Sequence, residues 1–400
     1  MKVLIVGAGI SGLSTAIGIA DKTKDATITI VERRPNFDAR GATFGLAPNG
    51  QKALHEIAPD VLTELKAEGI FMSASGGYML PWYRVRDALL SKVQIMSDRI
   101  ELRMGVSVEG VVQKDDDKLI VSFQDSSLTV EADVIIGADG VHSYVRTDIL
   151  RLPPAVSTGA HVWRGSLNFN GIGLEHFEEY NRFGDKMILV YFNFHAKTPG
   201  LFAWVFSVQD PSGELGIKSG VTTPLDMIRS YMESQSSPDE KLLKQYADAK
   251  LILENTHSSS DLTWSTQMAV VDLTTEAGWG GKGRITLVGD AAHSIRPANG
   301  LGGSLAFEDA TLLSRILSED DESGADIASR LRDFEGKRLP RCKSISRDQT
   351  LRSTLSYKLG YEKVPPWDQR YKEWVFDGLL GAPTPPVSEE AVFADVLACE

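Results

Sequence analysis

Short apolar runs and glycine turns alternate along the start of the chain in an order that predicts strand, turn, helix, strand. Lys2-Val3-Leu4-Ile5-Val6 is a continuous, partly β-branched run, the pattern of a parallel strand buried on both faces. Gly7-Ala8-Gly9-Ile10-Ser11-Gly12 follows, then Leu13 to Ala20 in helical style, with small residues on the face nearest the strand. A second apolar strand, Ala26 to Val31, ends at Glu32. The buried-strand pattern returns twice. Asp133-Val134-Ile135-Ile136 runs into Gly137-Ala138-Asp139-Gly140, and Arg284-Ile285-Thr286-Leu287-Val288 runs into Gly289-Asp290.

Between these strands the periodicity changes. Residues 40–50 are Gly- and Pro-rich and read as a loop, with Asn49 placed to cap the next helix. That helix carries Ala53, Leu54, Ile57 and Ala58, is ended or kinked by Pro59, and continues in helical style over 61–69. Residues 70–82 predict a short hairpin, and 84–93 a helix. Strand candidates 101–104, 106–112, 118–123 and 128–130 predict a meander, with turns at Asp115-Asp116-Asp117 and Asp125-Ser126-Ser127. Residues 156–273 are rich in aromatics on alternating strands, with helices near 224–233 and 239–254. This block reads as a mainly antiparallel sheet. Ser304 to Leu317 predicts a long helix with Leu305, Ala306, Ala310, Leu313 and Ile316 as its stripe. A further helix runs from about Ala325 to Arg338, where Pro340 perturbs it.

The first turn carries chemistry. Gly7 makes the tight turn, Gly9 lets backbone approach a pyrophosphate, Gly12 allows close helix–strand packing, and the helix start at Ile10 and Ser11 faces the phosphates. Glu32, twenty residues after Gly12, can accept hydrogen bonds from an adenosine ribose. Arg33 and Arg34 suit either a phosphate partner or a solvated loop, and the solvated loop is preferred.

Composition narrows the classes. The 400 residues suggest two or three structural units. A net charge of −12 argues against a nucleic-acid partner and an anionic membrane surface. Cys342 and Cys399 are too few for a disulfide scaffold or a zinc site and read as incidental thiols. No run is apolar for long enough to cross a bilayer, and the first strand is used by the fold, so the expected compartment is the cytoplasm.

Three distant motifs agree: Gly7-x-Gly9-x-x-Gly12 with Glu32; Gly-Ala-Asp139-Gly140-Val-His-Ser-x-Val-Arg; and Gly289-Asp290-Ala-Ala-His with Pro297-x-x-Gly300-x-Gly302 and Ala306-x-Glu308-Asp309-Ala310. Together they resemble the FAD-dependent aromatic-hydroxylase family, the single-component monooxygenases of para-hydroxybenzoate hydroxylase type. The resemblance implies an α/β fold: a Rossmann-type FAD-binding domain (1–69, 84–155, 276–345), an inserted, mainly antiparallel substrate domain (70–83, 156–275), and a C-terminal helical segment and tail (346–400). It implies FAD as cofactor, NAD(P)H as reductant, and a small aromatic substrate hydroxylated with dioxygen through a flavin hydroperoxide. Glu32 would hold the adenosine ribose. Arg86, with Arg84 as fallback, would reach the FAD phosphates or ribityl chain. Asp139 would lie near the pyrophosphate, and Asp290 would bind a ribityl hydroxyl. Ile10, Ser11, Arg33, Gly41, Ala42, Gly140 and Gly289 complete the implied cofactor set. Pro297 and the backbone from Gly300 through Leu301, Gly302 and Gly303 to Ser304 would lie against the isoalloxazine, with Pro297, Gly300 and Gly302 as the implied catalytic positions.

One departure stands out. Where the family reads Gly-Gln-Gly-Ala-Asn, this chain has Gly300-Leu301-Gly302-Gly303-Ser304, so two side-chain amides are missing. His142 and His293 read as structural, and Arg146 as part of an ion pair. Asp139 and Asp290 each follow a strand and could simply cap the next helix. Trp163, Arg164, Tyr191, Phe192, His195, Trp204 and Phe206 are candidates for a substrate pocket or for core. Rival readings are an epoxidase, a halogenase (no Trp-x-Trp-x-Ile-Pro segment is present), an NAD-dependent dehydrogenase, or a silent flavin binder.

Overall fold

Five strands pair in parallel, and their common direction decides where the motifs meet. β1 (Lys2–Val6) lies between β2 (Thr27–Glu32) and β10 (Val134–Gly137); β6 (Ile100–Met104) continues beyond β2 and β16 (Ile285–Leu287) beyond β10. Val6 stands opposite both Val31 and Gly137, and Gly137 opposite Leu287. The turns after β1, β10 and β16 therefore leave the sheet from one carboxyl edge, where open parallel sheets bind ligands. The computed structural model describes residues 1–37, 43–114, 118–124, 127–168, 178–297, 299–318, 326–360, 363–380 and 384–386. Gly41, Ala42, Cys399, the acidic triplet and Asp125-Ser126 lie outside them.

α1 (Ile10–Lys22) packs closely on α9 (Gly302–Leu317): a Cβ added at Gly18 would stand 3.2 Å from the Ala310 carbonyl oxygen. α2 (Pro48–Ile57) and α3 (Pro59–Glu68) follow β3 (Thr43–Leu46), a strand where a loop was expected. β3 pairs with β5 (Gly77–Pro81) of the expected hairpin, whose other arm is β4 (Ile70–Met72). Asn49 does not cap α2. Ala47 holds the cap position, and the Asn49 amide donates to Glu308 at 2.7 Å. α4 (Trp82–Ile95) leads to β6, which joins the parallel sheet instead of the expected meander. The meander is β7 (Val108–Gln113), β8 (Leu119–Phe123) and β9 (Thr129–Ala132).

The second large sheet is antiparallel: β11 (Val156–Asn168), β12 (Glu178–Phe183), β13 (Met187–Asn193), β14 (Leu201–Gln209) and β15 (Thr266–Val270), in the order β12-β13-β14-β11-β15. Strand parity gives it two faces. Trp163, Leu189, Tyr191, Trp204 and Phe206 share one face and are buried with Ile228, Ala249 and Ile252 of α5 (Pro224–Glu233) and α6 (Glu240–Glu254). Val162, Arg164, Val190, Val205 and Ser207 share the other. The short α7 (Ser259–Thr263) and α8 (Asp290–His293) precede α9, and α11 (Gln369–Asp377) follows the long α10 (Ile327–Leu359).

α10 runs through Pro340 instead of stopping near it. A proline inside a helix costs about 3 kcal/mol through its missing N–H. Two arginines flanking it are anchored in the interior. Arg338 donates to Glu308 at 2.6 Å and Asp309 at 2.7 Å, and Arg341 donates to Glu308 at 2.8 Å through two nitrogens. Arg341 also donates to the carbonyls of Trp374 and Val375 on α11. Among the described residues no helix is long and apolar enough to cross a membrane.

Burial opposes ionisation of Glu308, but Arg341 and Arg338 overcome it and hold its pKa at about 2, below the ordinary 4.5. A depressed carboxyl stabilises the fold fully above its unfolded pKa and loses that contribution as pH falls through the folded one; for this shift the contribution is about 3 kcal/mol. Thermal unfolding from pH 7 to 2 should show Glu308→Gln well below wild type at pH 6 and the gap closing near pH 2. A gap that stays constant would refute the assignment. Arg338→Met leaves two buried carboxylates short of a partner and should cost about 3–5 kcal/mol in urea unfolding. Arg315→Ala, which breaks a half-exposed pair with Glu56, should cost less than about 1 kcal/mol.

Candidate functional site

The glycines of the first turn divide by what a side chain would meet. Gly7 has φ 107°, and its Cβ would stand 2.4 Å from the Ala138 carbonyl oxygen; a Cβ at Gly12 would stand 1.9 Å from the Gly7 oxygen. Both are demanded by packing. Gly9 is extended (φ −75°, ψ −179°), and a Cβ there would meet nothing within 4 Å. No contact among the described residues requires glycine at 9, so the open space in front of it is what remains to be explained. α1, α8 and α9 begin at Gly9, Gly289 and Leu301 without a side-chain cap, although first-turn N–H groups need acceptors. Of the other helices, α5, α6, α10 and α11 are capped by Thr223, Asp239, Asp326 and Asp368, while α2, α3, α4 and α7 also begin without a side-chain cap. Ser11 Oγ is buried and has no hydrogen-bond partner among the described residues. Together these features form a cradle for an anionic ligand at the sheet edge.

Glu32 accepts from the backbone N–H of Ala8 and of Arg34, each at 3.0 Å, and so ties β2 to the turn after β1. Arg33 and Arg34 are exposed, as the solvated-loop reading expects. Arg86 is buried on the first turn of α4, between the rings of Phe37 (4.8 Å) and Trp82 (5.6 Å), and pairs with Asp87 at 2.7 Å. Arg84 is the outer of the two, near Glu68 at 3.7 Å.

The two carboxylates after β10 and β16 behave differently. Asp139 accepts from the Ser143 hydroxyl and from the N–H groups of Tyr144 (2.7 Å) and Val145 (3.1 Å), capping the turn at Val145–Ile149. Burial pushes its carboxyl above the ordinary value despite these bonds. Gly140 beside it has φ 82° and a free Cβ direction. Asp290 accepts no hydrogen bond from any described residue. Its side chain is accessible, yet protein surrounds it densely, which places it in a cleft. This enclosure raises its pKa, while His293 and Arg164 act in the opposite sense.

The loop after Ser294 closes the arrangement. Gly289 (φ 60°) packs against Ser11 and donates its N–H to Asp309 at 2.8 Å. Gly300 (φ 65°) lies on Gly45: a Cβ added at Gly300 would stand 3.4 Å from the Gly45 Cα. Pro297 is exposed, and Gly302 and Gly303 are half-buried. The loop's departures from the family have local causes. Leu301 is buried in the core, and Ser304 accepts from the Ala47 N–H at 3.1 Å. A Cβ at Gly303 would come within 2.0 Å of the Phe44 ring, which is itself packed edge-on against Phe307. An amide still holds the loop, but from α10: Gln349 accepts from the Asn299 N–H at 2.8 Å.

Several side chains settle into structure. His293 bonds Asp309 at 2.6 Å inside the core. His293, Asp309 and Cys342 offer ligand atoms within 4.8 Å of one another. Asp309, however, spends its oxygens on His293, Gly289 and Arg338, and burial pushes the Cys342 thiol up to about 12, so the cluster serves packing. Arg146 makes no expected ion pair; it donates to the carbonyls of Pro153 and Ala291, because no described carboxylate reaches its buried position. His142 is exposed. Of the pocket candidates, Trp163, Tyr191, Trp204 and Phe206 are on the helix-covered face and form core. His195 closes its own loop by accepting from Gly200 N–H at 2.9 Å. Arg164 is on the open face and within the electrostatic reach of Asp290; Phe192 shares that face and packs with Phe194 and Ala203. Arg296, Gln349 and Tyr357 were missed. Only Arg296, a cation directly before Pro297, left a visible signal.

Residues 63–349 match the family described as FAD binding domain. The chain is 26% identical to the aurachin C monooxygenase/isomerase of Stigmatella aurantiaca, over 95% of this chain and 94% of that one. It is 28% identical to the 6-methylsalicylate 1-monooxygenase of Aspergillus terreus, over 99% and 93%. The fold is similar to the crystal structure of HpxO from Klebsiella pneumoniae complexed with FAD and uric acid (TM-score 0.70, 20% identity, 96% of this chain and 97% of that one). The chain belongs to the FAD-binding-domain family and is an FAD-dependent monooxygenase.

The glycine geometry makes a test. Gly9→Val should fold with a near-wild-type melting temperature and retain no FAD after purification or reconstitution, since only the open space in front of the turn is filled. Gly12→Ala should lose stability outright. Normal flavin content in Gly9→Val would sink the phosphate-turn assignment.

Proposed function

We propose that this enzyme uses NAD(P)H and dioxygen to insert one oxygen atom into a small aromatic or heteroaromatic substrate. The observation that carries the reading is the uncommitted Asp290 carboxylate, which shares a sheet edge with the open Gly9 turn and lies within electrostatic reach of Arg164. Bound FAD would supply hydride acceptance and oxygen activation. The names of the two sequence relatives and the urate in HpxO support an aromatic or heteroaromatic substrate.

The residues divide the work. The N–H groups at Ile10, Ser11 and Gly12, with the start of α1, would hold the pyrophosphate, and Glu32 the ribose. Asp290 would accept from a ribityl hydroxyl. The uncapped start of α9 at Leu301 to Gly303 would stabilise negative charge on a reduced flavin. The exposed ring of Pro297 and the backbone at Gly300 would bound the reacting space. Val162, Val190 and Val205 give the opposite sheet face an apolar wall, which excludes water and positions a flat substrate.

The purified protein should be yellow. Anaerobic mixing with NADH or NADPH should bleach its flavin bands faster in the presence of one member of a panel of phenols, indoles and purines. Bands that no combination bleaches would refute the monooxygenase proposal. Asp290→Ala should weaken FAD retention by about tenfold or more, the loss of one charge-assisted hydrogen bond. Asp139→Asn should mainly lower the melting temperature, since its oxygens cap a turn.

A further inference from the structure

The loop that leads into α9 is held from two sides. At its end Leu301 is in the core, Ser304 bonds the Ala47 N–H, and Gly300 and Gly303 rest on Gly45 and Phe44. At its start Arg296 donates to the Thr158 carbonyl. Between these anchors, over 297–300, the described residues offer one hydrogen bond: the Asn299 N–H donates to Gln349 Oε1 at 2.8 Å. The acceptor belongs to α10 and is fully buried.

Gln349 holds its amide in one orientation. Its Nε2 donates to Asp348 at 2.9 Å, and a carboxylate only accepts. The reversed amide would set a carbonyl oxygen against that carboxylate and an NH2 against the Asn299 N–H, two repulsive contacts in place of two bonds. Asp348 is fixed in turn. It accepts from Arg352 Nε at 3.0 Å and from Trp367 Nε1 at 3.0 Å. Arg352 lies over the Trp367 ring at 5.1 Å and donates to the Pro365 carbonyl at 2.7 Å, and Trp367 packs edge-on against Phe376 of α11 at 5.7 Å. The chain of contacts therefore runs from the segment after α10 to a single backbone N–H of the loop. Support of this kind keeps a site in its working geometry.

The direction of that loop has a consequence for charge. α9 begins at Leu301 without a side-chain cap, so its first N–H groups aim at whatever lies ahead of them. Such groups stabilise negative charge in proportion to how firmly they are aimed. A shift of the backbone at Asn299 would turn Gly300, which has φ 65°, and the first turn of α9 with it. The loop itself has leucine at 301 and serine at 304, so the amide that steadies it comes from outside, at position 349.

We propose that Gln349, oriented by Asp348, is a positioning residue for the flavin: it holds the Asn299 backbone so that the start of α9 stabilises the reduced cofactor. This rests on the proposal that the start of α9 meets the reduced flavin.

Hydrogen exchange and redox titration together test it. In FAD-loaded wild type the Asn299 amide should exchange at least about tenfold more slowly than in an open chain, and the amides at 301–303 should be better protected than in flavin-free protein. Gln349→Met keeps the length of the side chain and removes the acceptor. Asn299 exchange should then rise about tenfold. Reduced FAD should bind about tenfold less tightly relative to oxidised FAD, a fall in midpoint potential of about 30 mV for a two-electron couple. Ile345→Val, a core change on the same helix, should lower the melting temperature and leave the potential at the wild-type value. A freely exchanging Asn299 amide in wild type would overturn the inference without any variant having to fold. An unchanged potential in Gln349→Met, or an equal shift in Ile345→Val, would overturn it as well. Failure of the underlying proposal looks different: Gln349 protects Asn299, but the amides at 301–303 gain nothing from FAD, and the inference falls with it.

Discussion

Glu308 sits in the dry interior against two guanidinium groups, and the position of the cleft depends on it. Its carboxylate meets Arg338 and Arg341 of α10 and the amide of Asn49 on α2. Its neighbour Asp309 meets Arg338, the ring of His293 and the N–H of Gly289. A buried lattice of this kind adds little net stability over well-packed apolar side chains, but it is costly to break and tolerates few alternative arrangements. Its product is register. α9 cannot slide or rotate without stranding charge, so its first turn stays where the glycine loop needs it, and Gly289 keeps the backbone that aims Asp290 into the cleft.

What was legible in the sequence follows from this division between local and distant causes. The parallel strands, the helices behind them and the motif turns are written in local periodicity and in glycines whose spacing has a steric reason; Gly7 and Gly12 do what their positions implied. The family resemblance named the cofactor. The lattice was invisible, because acids at 308 and 309 and arginines at 338 and 341 look like solvated helix faces until tertiary structure buries them. Pro340 misled for the same reason: the anchoring that carries α10 past it comes from another helix. β3 hid within a glycine-rich stretch because its pairing partner, β5, lies more than thirty residues on.

The aromatic block shows a different limit. Apolar residues on both faces of a strand announce burial, but not which face looks at helices and which at a cleft. Register resolved it: once Trp163 is paired with Phe206 and Arg164 with Val205, Trp163, Tyr191, Trp204 and Phe206 fall to the helix side, and Arg164, Val205 and the ring of Phe192 to the other. Asp139 and Asp290 are a similar case. Both follow a buried strand, and only their hydrogen-bond partners separate a cap from a group left free for a ligand.

The contact between Phe44 and Gly303 links two distant positions of the chain. The ring occupies the volume that a methyl group at 303 would need, and Phe307 holds the ring in place. Alanine at 303 would require the Phe44 ring, held by Phe307, to move. In this packing, alanine at 303 and the present position of the Phe44 ring exclude each other. Positions 44 and 303 are therefore coupled through one volume although more than 250 residues separate them in the chain.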